Sequence, residues 1–338
     1  MTTSILVTGG AGYIGSHAAK ALARAGYEPV TYDNLGRGHR AAVKWGPLVE
    51  GDLADRALLV ETLRGHKIAA VMHFAAFAYV GESVTEPELY FRNNVVNSLV
   101  LLEAMGEAGV GRIVFSSTCA TYGLPEKMPI AEDTPQRPVN PYGESKLMIE
   151  RMLHWLGQAR GLRSAALRYF NAAGADPDGE IGEEHDPETH LIPLVLQTAL
   201  GQRGAVEIFG TDYPTPDGTA IRDYIHVHDL AEAHVLALAH LLKGGASLAL
   251  NLGTGQGHSV RAVIDAAERV TGRPIARRET MRRSGDPPTL VADSRAARAA
   301  LGWTPRLSGL DDIIASAWKW HTRATAQANS LSPPGRGL

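Results

Sequence analysis

Tyr142 and Lys146 stand four residues apart in Asn140-Pro141-Tyr142-Gly143-Glu144-Ser145-Lys146, a segment that reads as the start of a helix. Asn140 is a good N-cap and Pro141 suits the first helical position. The spacing of Met148, Ile149, Met152 and Leu153 carries the helix onward. Residues four apart share a helix face, so the phenol and the ammonium lie one above the other. A phenol, with an ordinary pKa of about 10, is a weak base at neutral pH, and a neighbouring ammonium favours the phenolate. The pair suits removal of a proton from an alcohol. A third element, a hydroxyl, is expected at the end of the preceding strand, where Ser116-Ser117-Thr118-Cys119-Ala120-Thr121-Tyr122-Gly123 supplies several. Cys119 itself reads as a small buried hydrophobe rather than a nucleophile.

The elements that must position these groups begin at the N-terminus. Ser4 to Thr8 reads as a buried strand, followed by the glycines of Gly9-Gly10-Ala11-Gly12-Tyr13-Ile14-Gly15. A helical pattern from Ala18 to Ala25 ends at Gly26, and a second strand, Pro29 to Tyr32, ends at Asp33. Strand, glycine loop, helix, strand and acid in this order make a dinucleotide-binding βαβ unit. Gly9 and Gly12 let the loop approach a pyrophosphate at the helix N-terminus, and Gly15 lets that helix pack closely on the sheet. Asp33 accepts hydrogen bonds from an adenosine ribose and repels a 2′-phosphate, which favours NAD over NADP. Lys146 is then placed to hold the nicotinamide ribose. Further apolar runs at 48–50, 69–74 and 111–115 have the continuous character of parallel strands covered on both faces. Their ends line the ligand crevice of such a sheet, so Asp52 with Leu53 is expected at the adenine and Phe74-Ala75-Ala76 beside the cofactor. The bland alternative for Asp52 is a loop cap. The fold class is α/β, a doubly wound parallel Rossmann-type sheet with a smaller α/β substrate domain.

Composition sets the outer limits. With 338 residues, 33 basic and 36 acidic, the chain has a net charge of −3 and more length than one ordinary domain needs. Hydrophobic residues at 44% exclude disorder as the main state, and near-neutral charge argues against nucleic acid or a membrane surface as partner. Cys119 is the only cysteine, so no intrachain disulfide and no cysteine-based zinc site can form. No apolar run is long enough for a signal peptide or a membrane span, which makes a cytoplasmic enzyme the expected class.

The glycine spacing GxxGxxG resembles the extended short-chain dehydrogenase/reductase superfamily. That resemblance selects Thr118 as the hydroxyl of a Ser/Thr-Tyr-Lys triad. Sugar-nucleotide dehydratases of the superfamily carry Asp-Glu after this threonine, and its decarboxylases use a glutamate in the segment. Cys119 and Ala120 stand there instead, leaving reversible hydride transfer. Gly9 to His17, Gly81 to Val84, Arg168 to Asn171, Ile208 to Tyr213, Ile221 to Val227 and Arg283 to Asp286 all resemble the UDP-glucose 4-epimerases, a likeness that runs to about Thr322. The stretches around Ala78-Tyr79-Val80 and Ser117 to Tyr122 also resemble UDP-arabinose 4-epimerases.

The resemblance implies that Tyr142 takes the proton of the sugar 4-hydroxyl while tightly held NAD takes the hydride from C4 and returns it to the opposite face. It adds Tyr13, Ile14, Asn34, Asn93, Ser116 and Tyr169 to the cofactor contacts. For the UDP-sugar it implies Arg222 and Arg283 as a diphosphate clamp with Asn171 nearby. Ile208, Phe209 and Tyr224 fall to the uracil and Asp286 to its ribose. His190 and Leu191 begin the helix that borders the substrate. Three positions depart from the family: Ala78 replaces a lysine near the nicotinamide ribose, His190 an asparagine, and Leu290 a tyrosine of several relatives. Leu290 leaves room for a larger 2-substituent, as in UDP-N-acetylglucosamine. Alternatives are a pentose 4-epimerase, an NAD-consuming dehydrogenase, and a non-catalytic NAD-binding regulator. A homodimer is expected. Residues 1–171, completed by about 223–251, are assigned to the cofactor domain, 172–222 and 252–322 to the substrate domain, and 325–338 to a mobile tail. Glu183-Glu184-His185-Asp186 with Glu188 and His190 has metal-ligand residue types but reads as a solvated loop, with no metal expected. His226 and His228 read as structural, on a strand whose following helix is capped by Asp229.

Overall fold

Ile5 and Val7 of the strand Ser4–Thr8 point into one buried cluster and Leu6 into another, so neither face of this strand meets water. That is the condition under which a strand reads as an unbroken apolar run. The computed structural model describes residues 2–283 and 285–331. β1 (Ser4–Thr8), β2 (Glu28–Asp33), β3 (Leu48–Glu50), β4 (Ala70–His73), β5 (Arg112–Thr118) and β6 (Arg163–Tyr169) join Leu248–Leu252 in a seven-stranded sheet. The order is Leu248–Leu252, β6, β5, β4, β1, β2, β3, and every neighbouring pair is parallel. From β1 the chain winds outward to β3, then returns to lay β4 on the other side of β1. Such a reversal opens a crevice beyond the carboxyl ends of the two strands. This is the doubly wound Rossmann-type sheet expected from the glycine loop and the apolar runs.

Helices Tyr13–Arg24 and Val227–Leu242 cover one face through Ala18, Leu22, Leu230 and Leu238. Helices Arg56–Gly65, Asn97–Ala108 and Pro141–Arg160 cover the other through Leu59, Leu101 and Ile149. A separate core gathers helices Leu191–Ala199, Val260–Thr271 and Leu310–Leu331 around Leu196, Ile264 and Ile313. Around it lie short sheets, in which Val206–Phe209 pairs with Arg277–Thr280 and Ile221–Arg222 lies between His258–Ser259 and Thr289–Leu290.

Three details differ from expectation. Residues 295–303, grouped by sequence with the substrate domain, pack on the large sheet through Ala297 and Trp303. The Trp303 indole N–H reaches the Asp229 carbonyl at 2.9 Å, which fastens this segment to helix Val227–Leu242. That helix is capped by His226, whose Nδ1 accepts the His228 amide at 3.0 Å, and not by Asp229. Asp229 lies inside the first turn and its carboxylate takes the Leu307 amide and the Ser308 hydroxyl instead. Finally, residues 325–331 continue helix Leu310–Leu331, and the rest of the expected tail, 332–338, lies outside the described residues. Among the described residues no helix is long and apolar enough to cross a membrane.

Candidate active site

A cavity of about 1330 Å³ fills the crevice at the β1–β4 reversal and extends to the second core. The glycine loop forms its floor. Gly9 has φ +73°, and a Cβ there would lie 2.5 Å from the Ala75 amide nitrogen, so no other residue lets the loop meet the segment after β4. A Cβ on Gly15 would stand 2.1 Å from the Gly9 carbonyl oxygen; its absence lets the helix start directly behind the loop. Asp33, at the end of β2, accepts the Ala11 amide at 3.0 Å and the Leu35 amide at 2.9 Å, so it shapes the loop as well as facing the cavity. Burial holds its carboxyl above the ordinary value, and the two amides pull it back down. Asp52 does cap its own loop, accepting the Ala54 amide at 2.8 Å, and it also faces the cavity beside Leu53. This cradle of bare backbone, helix N-terminus and cavity-facing carboxylate fits a dinucleotide.

Catalytic-type groups meet in the middle of the cavity. Asn140 caps helix Pro141–Arg160 by accepting the Gly143 amide at 2.8 Å, and Pro141 takes the first turn as expected. Tyr142 therefore projects from the first turn toward the end of β5. Burial pushes its phenol up to about 12, against the pull of a hydrogen bond with Thr118. Lys146 is 2% exposed and donates to the Ser116 carbonyl at 2.9 Å. Burial lowers its pKa to about 7. Its ammonium nitrogen is 6.0 Å from the Tyr142 ring centre. The expectation that Lys146 lowers the phenol pKa is thus not met by the protein alone, because desolvation of both groups outweighs their separated attraction. Cys119 is buried, and its thiol is pushed up to about 12, consistent with an inert side chain.

At the far end Arg222 and Arg283 both face the cavity. Arg222 is ion-paired with Asp286, and the Arg283 guanidinium sits 3.9 Å over the Phe209 ring. Leu290 borders the same space, paired in register with Arg222 across the parallel strands.

Residues 5–253 match the model of the NAD dependent epimerase/dehydratase family, about three quarters of the chain. The chain belongs to that family. A UDP-glucose 4-epimerase of Rhizobium meliloti (strain 1021) is 55% identical over 320 residues, covering 95% of this chain and 97% of the relative. The structure of UDP-glucose 4-epimerase from Brucella ovis in complex with NAD superposes with a TM-score of 0.92 at 54% identity, covering 94% of this chain and 98% of that one. An enzyme from Stenotrophomonas maltophila, solved with NAD and formylated UDP-arabinopyranose, has a TM-score of 0.93 at 42% identity over 97% of this chain and all of that one.

Within this family member the cavity is lined by every residue expected at the catalytic, cofactor or substrate positions except Ile208. Ile208 is fully buried in the second core, because strand alternation turns it inward and sends its neighbour Phe209 to the cavity. The loop 183–190 is solvated only in part: Glu184, Asp186, Thr189 and His190 are exposed as expected, whereas Glu183 is buried and His185 and Glu188 are half-buried at the cavity. Sequence had no signal for Arg37, whose guanidinium lies 4.0 Å over Phe77 beside the cavity, or for Arg203, which borders it. Asn94, in a π-helical turn at Phe91–Val96, was missed as well. It exchanges hydrogen bonds with the Phe77 backbone and donates to the Ser145 hydroxyl at 3.1 Å, tying the segment after β4 to the helix that carries Tyr142. An unusual helical turn near a site is a recurrent device, but hydrophobic spacing does not reveal it.

Proposed function

We propose that this chain is an NAD-dependent UDP-sugar 4-epimerase acting on the UDP-glucose/UDP-galactose pair through a 4-keto intermediate. One observation carries the choice within an epimerase/dehydratase family. The residues facing the cavity directly after Thr118 are Cys119 and Ala120. Neither can protonate and expel a neighbouring hydroxyl, so dehydration lacks its acid and base. Bound NAD supplies a hydride acceptor and donor, together with a positive ring beside the phenol.

In this reading Tyr142 takes the proton of the sugar 4-hydroxyl and gives one back after the sugar has turned over. Thr118 hydrogen-bonds the reacting oxygen, and Lys146 holds the nicotinamide ribose and adds positive charge near the phenol. The positive ring of bound NAD is what the isolated pocket lacks, given a phenol pushed up to about 12. Gly9, Gly12, Tyr13, Ile14 and Gly15 form the phosphate floor, and Asp33, Asn34, Asp52 and Leu53 hold the adenosine end. Phe74 to Ala76, Asn93, Ser116 and Tyr169 complete the walls around the nicotinamide.

Arg222 and Arg283 clamp the diphosphate, with Asn171, Leu191 and His190 at its side. Phe209 and Tyr224 flank the uracil, and Asp286 takes its ribose after releasing Arg222. The keto sugar can turn only if its nucleotide is held fast, which these charged contacts accomplish. Residues 1–171 with 223–251 as cofactor domain and 172–222 with most of 252–322 as substrate domain fit this division of labour. A cytoplasmic homodimer is part of the proposal; exposed Val96, Leu99, Met148 and Trp155 on two packed helices supply the apolar surface.

The test incubates the protein separately with UDP-galactose, UDP-N-acetylgalactosamine and UDP-xylose. Formation of UDP-glucose from UDP-galactose, without net NADH, is expected. NADH rising in proportion to product would instead mark a dehydrogenase, and no turnover with bound NAD would mark a binding protein. Leu290 supports a second activity on the N-acetylated pair, since an aliphatic side chain stands at that position of the cavity wall in place of a ring.

A further inference from the structure

Ahead of helix Leu191–Ala199, the chain gathers Glu183, His185, Glu188 and His190 at the boundary between the two cores. One carboxylate oxygen or imidazole nitrogen from each lies within 4.8 Å of all the others. The Glu183 and Glu188 side chains are 4% and 5% exposed, and their recorded ion-pair partners are His185 and His190, with no lysine or arginine among them. His321, from the last helix, also faces both carboxylates. Burying two carboxylates is costly and is offset only where positive charge, from imidazolium or from a bound metal ion, stands among them.

Geometry says what would offset that cost. His185 Nδ1 is buried without a hydrogen bond, 3.3 Å from Glu183 Oε1 and 3.6 Å from Glu188 Oε2. Glu188 Oε1 is already taken by the amides of Thr189 and His190, at 2.7 and 2.8 Å, which leaves Oε2 turned toward His185. A tetrahedral ion with bonds of about 2.1 Å sets its ligand atoms about 3.4 Å apart. Both His185 separations match that edge. The Glu183–His190 contact, at 2.5 Å, must open by roughly 1 Å, and His190 is the most exposed of the four side chains.

We propose that Glu183, His185, Glu188 and His190 form a closed structural site for a divalent ion of the zinc class. Two imidazoles and two carboxylates suit zinc or cobalt better than magnesium or calcium, which prefer oxygen alone. Four protein ligands leave no open position, so the ion fastens the chain and activates no water. What it fastens is specific. The His185 ring meets Tyr13 edge-on at 6.2 Å and Tyr79 at 5.9 Å, so the site pins the 183–190 loop against the glycine loop and the segment after β4. The acidic group Asp176, Asp178 and Glu180 provides an internal contrast, because the Lys20 ammonium already sits among its carboxylates.

The test uses full-length, tag-free protein stripped with a chelator. Zinc chloride is titrated in by calorimetry and cobalt(II) by visible absorbance. One equivalent per chain, the d–d bands of a four-coordinate cobalt site and a raised Tm are expected. Glu183→Gln and His185→Gln each weaken zinc binding by at least about tenfold, whereas Asp178→Asn leaves it unchanged. If Glu183→Gln does not fold, His190→Asn gives the same reading through the most exposed ligand. Absence of stoichiometric binding, or equal binding by wild type and the ligand variants, overturns the proposal.

Discussion

Lys146 illustrates how burial sets chemistry at single residues. Its ammonium is almost wholly removed from water, with the Ser116 carbonyl as its hydrogen-bond partner, and its pKa falls from 10.5 to about 7. Below about pH 7 the folded protein must bury a charge that the unfolded chain keeps hydrated. Between about 7 and 10.5 the unfolded chain holds a proton the native state has released, so this residue's contribution to stability rises with pH. Lys146→Met is therefore expected to raise the Tm of the cofactor-free protein more at about pH 6 than at about pH 10 while abolishing turnover, as thermal melts and an epimerisation assay would show. An equal shift at both pH values would contradict the buried ammonium. Tyr142→Phe keeps the ring but removes the proton carrier, so turnover should drop by about 10²–10⁴-fold with NAD still bound. Leu290→Tyr adds a ring to the cavity wall. Turnover of N-acetylated UDP-sugars should fall much more than that of UDP-galactose, measured as a ratio of kcat/KM values.

Helix Pro141–Arg160 does more than carry the tyrosine. One turn beyond Lys146, Glu150 receives the Arg168 guanidinium at 2.6 Å and the Ser117 hydroxyl at 2.5 Å, with both charged side chains under 10% exposed. Arg168 also donates to the Tyr122 hydroxyl at 2.9 Å, and Tyr122 to Asn251 at 2.7 Å. The helix, β5, β6 and Leu248–Leu252 are thus locked together behind Thr118 by one buried polar network. Removing one member leaves the rest unpaired, the costly way to alter such a network. Glu150→Ala should cost about 3–5 kcal/mol, read from denaturant unfolding. A cost below about 1 kcal/mol would mean that Arg168 finds another partner.

At the scale of the molecule, one cavity is shared by two cores, and charged groups hold the cores in register. Lys20, on the first helix, reaches Asp176 at 2.7 Å and Asp178 at 2.9 Å across the boundary. Lys20→Met leaves the buried Asp176 without its cation and should lower the Tm and loosen the 176–190 segment, as hydrogen exchange would report. At the opposite end, Arg283→Ala removes a guanidinium facing the substrate half. It should raise KM for the UDP-sugar by about tenfold or more with little effect on NAD binding.

Local spacing determined the cofactor half almost completely. The order strand, glycine loop, helix, strand, Asp33 is a pattern that backbone sterics and a buried parallel sheet permit in few ways. The helix start around Tyr142 was equally legible, because Asn140, Pro141 and Lys146 act within one or two turns of each other. What depended on packing between distant segments was not. Ile208 and Phe209 are adjacent, and only the sheet they join decided which faces the cavity. The 295–303 segment joined the large sheet because Trp303 found Asp229, seventy-four residues away in sequence. The pKa values of Tyr142 and Lys146 came from burial, which a spacing of four residues does not express. Likewise, Glu183, His185, Glu188 and His190 looked like a solvated run until tertiary structure turned the two carboxylates inward against the imidazoles.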